Sequence, residues 1–271
     1  MTVIIEQARA KINLALHVLG RRTDGYHELD SIVAFADVSD RLEFEPAAQN
    51  ALIITGPFAA DVPKGDDNII WNAWAHLKTL MPAPNVSVRL EKNLPVASGI
   101  GGGSADAAAM LRGLLRLIGT SLSDEQIAGL AAIGADIPVC FAGKPARMEG
   151  MGEKISVLTE QLPPAVVLVN PLVACSTAEV FKALDLKIGE MRPAPTRAEW
   201  HNDMTVAAIN VQPMISDVLS ALHKTDLFPV LMSGSGATCF GIARSREEAE
   251  IVAAALASAH PQWWVKAARI F

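Results

Sequence analysis

The chain has 271 residues, of which 51% are hydrophobic and 19% are charged, and its formal net charge is −6. These proportions exclude a disordered acidic protein, because the apolar side chains can fill a core that offsets the entropy of ordering. The acidic balance argues against nucleic acid as the main partner, since a duplex binder usually carries a basic stripe. Local cations and backbone N–H groups can still hold a small phosphorylated ligand in an acidic protein.

The cysteines and the N-terminus indicate the compartment. Cys140, Cys175 and Cys239 form no Cys-x-x-Cys pair and have no histidine at metal-ligand spacing, so we expect buried thiols in a reducing compartment. The N-terminus lacks a basic stretch before an apolar one, and no run reaches the roughly 18 apolar residues of a membrane span. The sequence therefore predicts a cytoplasmic protein that does not act at a membrane.

Strands dominate the first third of the chain, as short β-branched or alternating runs separated by Gly, Asp, Pro and Asn. One helix interrupts them over 69–80, where Asp67 or Asn68 can cap the first turn and apolar residues recur at helical spacing until Pro82. The expected strands are residues 3–5, 12–18, 31–35, 41–45 and 52–54.

The middle of the chain combines a strand, a glycine cluster and two helices. After the strand at 86–90 and the glycines, residues 104–118 are rich in Ala and Leu and predict a helix. Ser123 begins a capping box, which predicts a second helix that ends near Gly134.

From about Lys154 strands and helices mix without a strict βαβ rhythm, which is typical of an α+β domain. At about 150 residues per domain the length predicts two domains, which we place at 1–153 and 154–271. Residues 186–200, with prolines and mixed charge, predict a surface loop. The expected elements are strands at 166–169, 230–233, 238–243 and 265–270, and helices at 176–184, 211–223 and 247–257.

The segment from Pro95 to Ser104 runs from a strand into a helix and holds four glycines within five residues. Glycines let backbone N–H groups approach an anion without Cβ obstruction, and the start of the following helix adds its positive dipole end. A flexible linker is the alternative, but a linker gives no reason for a long apolar helix directly afterwards. The segment therefore predicts a phosphate-binding loop.

Two common phosphate loops do not fit this segment. A Walker A loop requires a lysine after its last glycine, and none follows Gly103. A Rossmann fingerprint requires a third glycine where Ser104 stands, and it normally opens a βαβ unit with an acid about 20 residues further on. Asp124 has roughly that spacing, but the capping box already explains it.

The segment resembles the loop of the GHMP kinases, which include galacto-, homoserine, mevalonate and phosphomevalonate kinases and whose pattern is Pro-x-x-x-Gly-Leu-Gly-Ser-Ser-Ala. Gly102 and Gly103 replace the two serines, as in the branch that phosphorylates 4-diphosphocytidyl-2-C-methyl-D-erythritol. The missing serine hydroxyl leaves the Mg²⁺ ligands unassigned. The resemblance implies that ATP is bound by Pro95, Val96, Ala97, Ser98, Gly99, Ile100, Gly101, Gly102, Gly103, Ser104 and Ala105.

Lys11 and Asn13 share one face of an apolar strand, opposite Ile12 and Leu14. Two such polar side chains are costly to bury without partners, and an exposed polar face of the sheet is the alternative. The branch named above begins with a similar Ala-Lys-Ile/Leu-Asn-Leu segment. That resemblance implies a catalytic Lys11 and an Asn13 that contacts the substrate.

Asp136 lies between small and apolar residues in the segment Gly-Ala-Asp-Ile-Pro. Beside an ammonium such a carboxylate can accept a hydroxyl proton, whereas its structural role would be to cap a turn before Pro138. The Gly-Ala-Asp-x-Pro motif of the resembled family carries the general base. The resemblance therefore implies that Asp136 is catalytic, with Lys11 as its expected partner.

An Asp-Gly turn at 24–25 is expected to present the next two side chains, Tyr26 and His27. A tyrosine beside a histidine can stack on a planar base and hydrogen-bond its edge, although such a pair can also be a turn packed on the core. In the resembled branch, Asp-Gly-Tyr-His is the cytosine clamp. The resemblance implies that Phe181 is the second face of this clamp.

A glycine-rich segment from Ser233 to Phe240 lies between two expected strands and could be a simple hairpin. It also resembles the third GHMP motif, a loop near the ATP phosphates and the acceptor. That resemblance assigns Gly236 to substrate binding, and the looser match of the preceding family segment does the same for Thr177.

The resemblance extends from Ala8 to about Phe240. It implies an α+β protein with the two-domain GHMP kinase fold, in which an N-terminal α/β domain carries the phosphate loop and the C-terminal domain is ferredoxin-like. The implied activity is ATP- and Mg²⁺-dependent phosphorylation of the 2-hydroxyl of a cytidine-diphosphate-linked methylerythritol, in non-mevalonate isoprenoid synthesis, by a monomer or homodimer.

Two alternatives stay open. One is another GHMP kinase, such as a homoserine or mevalonate kinase, which the Asp-Gly-Tyr-His segment and the triple glycine disfavour. The other is a non-catalytic nucleotide-binding member, which the presence of both Lys11 and Asp136 disfavours.

Overall fold

The computed structural model describes residues 3–193 and 200–271, so part of the loop expected at 186–200 lies outside the described residues. The chain forms two compact units that alternate along the sequence. These units are not two halves of the chain, and the division between residues 153 and 154 stays a prediction. The first unit comprises Met1–Ala10, Ser39–Val96 and Gly101–Gly143, and the second comprises Lys11–Val38, Ala97–Ile100 and Lys144–Phe271.

Two long strands, β1 and β2, contribute residues to both units. In the first unit β4 lies between β3, with which it is parallel, and the end of β2, with which it is antiparallel. The elements up to residue 143 are β1 (Ile4–Arg21), β2 (His27–Pro46), β3 (Ala51–Thr55), α1 (Ile69–Leu80), β4 (Val86–Glu91), α2 (Gly102–Ile118), α3 (Asp124–Gly129) and α4 (Ile137–Ala142).

Helix α1 has the predicted bounds. The Asn68 side chain accepts a hydrogen bond from the backbone N–H of Ile70, as an N-cap does. The apolar face of the helix is buried through Ile70, Ala73 and Leu77. A proline follows one residue after the C-cap, Met81, where the chain cannot continue the helix.

The second unit contains a four-stranded antiparallel sheet in the order β10-β7-β9-β8. Along the chain, helices follow the first and the third of these strands, β7 and β9. This order of strands and helices is the ferredoxin-like arrangement, so the expected C-terminal fold is confirmed. The elements after residue 143 are β5 (Ala146–Gly150), β6 (Lys154–Val157), β7 (Ala165–Asn170), α5 (Thr177–Ala183), α6 (Thr205–Val211), α7 (Met214–Leu222), β8 (Val230–Met232), β9 (Cys239–Ala243), α8 (Arg246–Ala259) and β10 (Trp264–Arg269).

Several expected elements were wrong in extent or missing. The short strands expected at 3–5 and 12–18 are one strand, whose Ala8 and Ala10 are fully buried. The helix expected at 211–223 is α7, which begins only at Met214 because Pro213 is its N-cap. The preceding helix α6, which ends at Val211, was not expected. Helix α4 and the β5–β6 hairpin were not expected.

The three cysteines are buried, as the sequence predicted. Burial raises the pKa of Cys239, and burial followed by the nearby charge of Glu179 raises the pKa of Cys175, so both thiols are protonated at neutral pH. None of the helices in the described part of the chain combines the length and the apolar character needed to cross a membrane.

Candidate active site

The predicted phosphate loop, Pro95–Ser104, ends in the first turn of α2. Gly101 is the N-cap in the left-handed conformation with φ +64°, and its carbonyl accepts the N–H of Ala105, which closes the first helical turn. The N–H groups of Gly102, Gly103 and Ser104 belong to the first turn of a helix and therefore lack intrahelical acceptors. Because Gly103 is exposed, an anion can reach this helix start.

Gly99 holds the loop against the glycine-rich segment Ser233–Thr238. Its φ is +76°, and a Cβ at this position would lie 2.5 Å from the Ser233 carbonyl oxygen and 2.7 Å from that of Gly236. The Ser233 hydroxyl donates to the Gly99 carbonyl at 2.9 Å, and the Thr238 N–H donates to the Ser98 carbonyl at 3.1 Å. Only glycine fits this approach, so the contact positions the loop before any ligand binds.

Lys11 and Asn13 belong to one buried hydrogen-bond network beside the same segment. The Lys11 ammonium donates to the Asn13 side-chain oxygen at 2.9 Å, and the Asn13 amide donates to the Ser31 hydroxyl at 2.8 Å. The backbone N–H of Lys11 donates to the Ile100 carbonyl at 2.9 Å, and that of Asn13 to the Ser233 hydroxyl at 3.1 Å. Both side chains are buried, so the alternative of an exposed polar face is wrong.

Asp136 lies directly before α4 and is half-buried. Its side chain makes no capping hydrogen bond to the helix that it precedes, which has a proline in its first turn. The structural role considered for this residue, capping the turn before Pro138, is therefore not what the structure shows. Its pairing with Lys11 stays a prediction.

The Asp-Gly turn has the expected form. The Asp24 carboxylate accepts the Tyr26 N–H at 3.1 Å, Gly25 has φ +90°, and the Arg21 guanidinium donates to the Gly25 carbonyl at 3.2 Å. Tyr26 is 62% exposed, which leaves its ring accessible to a ligand. The turn therefore presents a tyrosine side chain at the surface of the second unit.

His27 stacks on Phe181 of α5, with ring centroids 4.6 Å apart and planes inclined by 26°. Its Nε2 is buried and has no hydrogen-bond partner among the described residues. Burial, and then the positive charge of Arg21, lowers the pKa of His27, so the imidazole is neutral at pH 7. A neutral ring with an unpartnered nitrogen can form one directed hydrogen bond to the edge of a base.

The other two residues assigned to substrate binding lie close together in the chain's second unit. The Thr177 hydroxyl is 2.8 Å from the Ser235 hydroxyl, and Thr177 is exposed. Gly236 is buried, and a Cβ there would lie 3.0 Å from both Ile215 Cδ1 and Met232 Sδ. Gly236 therefore shapes the loop that contacts Gly99, and only its backbone is available to a ligand.

The sequence analysis assigned no role to Lys92, Asp40 and Asp106, which form a buried ionic cluster. The Lys92 ammonium lies 2.5 Å from Asp40 Oδ2 and 2.6 Å from Asp106 Oδ2. The three residues are distant in sequence, so no local pattern reveals the cluster. Asp106, a carboxylate within a run of alanines on a buried helix face, was the one signal that could have indicated it.

Asn202 was also missed. Its amide donates to the carbonyls of Met232 and Gly234 at 2.7 and 2.8 Å, and its oxygen accepts the Met204 N–H. It thus supports the glycine-rich segment by hydrogen bonds to its backbone. No group of three or more His, Cys, Asp or Glu side chains in residues 3–193 and 200–271 is arranged to hold a metal ion.

Comparison with known proteins identifies the family. The model for the GHMP kinases N terminal domain matches residues 68–144, and the model for the GHMP kinases C terminal matches residues 193–262. The 4-diphosphocytidyl-2-C-methyl-D-erythritol kinase of Paramagnetospirillum magneticum is 45% identical to the chain, over 100% of the chain and 99% of the relative. The chain belongs to the 4-diphosphocytidyl-2-C-methyl-D-erythritol kinase family.

Solved structures agree with this family. A crystal structure of 4-(cytidine 5'-diphospho)-2C-methyl-D-erythritol kinase matches with a TM-score of 0.80 at 31% identity, covering 98% of this chain and 99% of that one. Homoserine kinase from Cytophaga hutchinsonii matches with a TM-score of 0.72 over 99% and 95% of the two chains, but at 16% identity it shows the shared fold alone. The chain is thus an ATP-dependent small-molecule kinase of the 4-diphosphocytidyl-2-C-methyl-D-erythritol kinase family.

The contact at Gly99 generates a test of the loop. We expect Gly99→Ala to weaken MgADP binding by about tenfold or more, because the added Cβ collides with the Ser233–Gly236 backbone and displaces the loop. Gly119→Ala is the matched control: Gly119 also has a positive φ, +72°, but nothing lies within 4 Å of its Cβ position. Titration calorimetry should show unchanged affinity in the control, and wild-type affinity in Gly99→Ala would contradict the role of the contact.

Proposed function

We propose that the protein transfers the γ-phosphoryl group of ATP to the 2-hydroxyl of 4-diphosphocytidyl-2-C-methyl-D-erythritol, in non-mevalonate isoprenoid synthesis. The full-length likeness to relatives of that name supports the substrate. The observation on the molecule that carries the proposal is the hydrogen bond from the Lys11 N–H to the Ile100 carbonyl. It joins the strand of the proposed catalytic lysine directly to the phosphate loop.

The phosphoryl-transfer chemistry is assigned to three groups. Residues Pro95–Ala105 bind the ATP phosphates through backbone N–H groups. The Asp136 carboxylate accepts the proton of the 2-hydroxyl. The oxygen of that hydroxyl attacks the γ-phosphorus of ATP, and ADP leaves. The Lys11 ammonium, held at 2.9 Å by Asn13, offsets negative charge on the transferring group, so catalysis is mainly positioning and electrostatics.

Mg²⁺ enters with ATP as part of the substrate and neutralises charge on the phosphate oxygens. Such an ion is usually bound by substrate phosphates, waters and one or two carboxylates rather than by an all-protein cage, which fits a described chain without a three-residue ligand cluster. We assign it no ligand in this chain. The monomeric or homodimeric state and the cytoplasmic location also stay predictions.

Recognition of the cytosine is assigned to Tyr26, His27 and Phe181. The exposed Tyr26 ring and the Phe181 ring offer stacking faces, and the neutral His27 reads the base edge through its unpartnered nitrogen. Asn13, Thr177 and the backbone of Gly236 hold the polar remainder of the substrate. These side chains distinguish the proposal from a homoserine or mevalonate kinase, whose substrates carry no base.

Loss of the general base is the first test. We expect Asp136→Asn to lower kcat by about 10²- to 10⁴-fold, because an amide cannot accept the hydroxyl proton, while MgADP affinity changes little. Asp124→Asn, in the first turn of α3, is the control at an exposed carboxylate outside the proposed site and should keep wild-type turnover. Steady-state kinetics measure both, and wild-type kcat in Asp136→Asn would refute the assignment.

Exchange of the base is the second test. A uridine analogue of the substrate should bind at least about tenfold more weakly, because it leaves a buried polar atom of the site unsatisfied. In His27→Ala this preference should disappear, since the group that reads the base edge is gone. Competition binding with the two analogues measures the preference, and equal affinity of the wild type for both would contradict the role of His27.

A further inference from the structure

The Lys92–Asp40–Asp106 cluster is almost completely shielded from solvent. Lys92 is 2% exposed, Asp40 0% and Asp106 3%, and all three belong to the first unit. One ammonium faces two carboxyl groups. If both were ionised, the cluster would carry a net charge of −1 inside the protein, where uncompensated charge is costly.

The two carboxyl groups have different surroundings. Asp40 accepts hydrogen bonds from the Lys92 ammonium and from the backbone N–H groups of Asn93 at 2.5 Å and Leu94 at 2.8 Å. Asp106 accepts one from Lys92 through Oδ2, and its Oδ1 is buried without a partner among the described residues. Because each donor stabilises the ionised form, Asp40 holds the negative charge and Asp106 is the group that takes a proton.

The titration of Asp106 agrees with this geometry. Burial has the largest effect and raises the pKa of Asp106, the charge of Lys92 lowers it and the charge of Asp40 raises it, and together they bring the pKa to about 8. Burial lowers the pKa of Lys92, but the two carboxyl groups raise it by more, so the ammonium stays charged. At neutral pH the cluster therefore contains one ammonium, one carboxylate and one carboxylic acid.

The cluster lies next to the part of the phosphate loop that begins α2. Lys92 follows the last residue of β4, and Asp106 is the fifth residue of α2. A Cβ at Gly102, the first residue of α2, would lie 3.3 Å from the Lys92 ammonium. A charge of −1 at this depth would oppose the positive end of the helix, and a neutral cluster leaves that end free to attract phosphate.

We propose that Asp106 is a positioning residue held as the neutral carboxylic acid, so that the Lys92–Asp40–Asp106 cluster is electrically neutral beside the phosphate loop when nucleotide binds. This inference rests on the proposed function in one respect, namely that the loop binds the phosphates of ATP. Membership of the family does not by itself specify the charge state of Asp106, which the inference adds.

The charged groups around Asp106 come from several elements. Asp40 lies on β2, and Lys92 lies directly after β4. Lys92 contacts both Asp106 and Asp40. Of the helices packed against α2, α4 has no charged residue, and α1 carries His76 and Lys78. Lys78 is exposed and its ammonium lies 4.6 Å from the centre of the Trp74 ring. Lys92 and Asp40 therefore set the charge balance of Asp106.

The test is the pH dependence of MgADP affinity between pH 7.5 and 9.5, at constant ionic strength and free Mg²⁺. As the pH rises through about 8, Asp106 loses its proton and the cluster gains a negative charge. We expect wild-type affinity to fall by roughly fivefold or more over this range, from the repulsion between that charge and the phosphates. Asp106→Asn mimics the neutral acid, so its affinity should equal that of the wild type at pH 7.5 and stay constant to pH 9.5.

Asp40→Asn is the matched control, because it removes the carboxylate that bears the charge. It should lower the midpoint of thermal unfolding at pH 7.5, whereas Asp106→Asn should leave it unchanged or raise it.

A direct measurement uses the wild type alone. The carbon-13 shift of the Asp106 carboxyl should titrate near pH 8, and a titration midpoint below pH 5 would overturn the inference.

The remaining outcomes are distinct. A flat wild-type affinity, the same pH dependence in Asp106→Asn, or a severe loss of affinity in that variant at pH 7.5 would each overturn the inference about Asp106 and leave the proposed function intact. If the wild type fails to bind MgADP at any pH, the proposed function itself is contradicted, and the inference falls with it.

Discussion

The hydrogen bond between the Ser233 hydroxyl and the Gly99 carbonyl, at 2.9 Å, is the contact on which the candidate site depends. Backbone N–H groups bind phosphate well only when they are held in place beforehand, because ordering a loose loop would consume the binding energy. Ser233 also accepts the N–H of Asn13, and Asn13 holds the Lys11 ammonium. One hydroxyl therefore ties the phosphate loop to the proposed catalytic lysine, and it explains why a positive-φ glycine stands at position 99.

The electrostatics of the molecule resolve the apparent conflict between an acidic chain and two phosphate-bearing substrates. The net charge of −6 is a property of the whole chain, whereas binding depends on the few groups near the loop. In the second unit the Lys11 ammonium is buried and donates a hydrogen bond to the Asn13 side-chain oxygen. In the first unit a neutral Lys92–Asp40–Asp106 cluster would add no repulsion. Backbone amides and local cations can therefore hold phosphate in a protein with excess negative charge.

Features encoded by neighbouring residues could be predicted from the sequence, and features formed by distant residues could not. Helix α1 was found at its true bounds because its cap, its apolar spacing and its terminating proline are all local. The Asp-Gly turn was found for the same reason. Helix α4, only six residues long, depends on its packing against α2, which local propensity does not report. The cluster of Asp40, Lys92 and Asp106 joins residues that are distant in sequence, so no local pattern reveals it beyond the position of Asp106 within a run of alanines.

The central claim is that this chain phosphorylates the 2-hydroxyl of a cytidine-diphosphate-linked methylerythritol. Phosphorus-31 NMR of the full chain with MgATP and 4-diphosphocytidyl-2-C-methyl-D-erythritol tests it most directly, with homoserine and mevalonate as parallel acceptors. The account predicts a new phosphomonoester signal and stoichiometric ADP with the cytidine substrate alone. Equal or faster ADP formation with homoserine or mevalonate, or nucleotide binding without turnover of any acceptor, would contradict it.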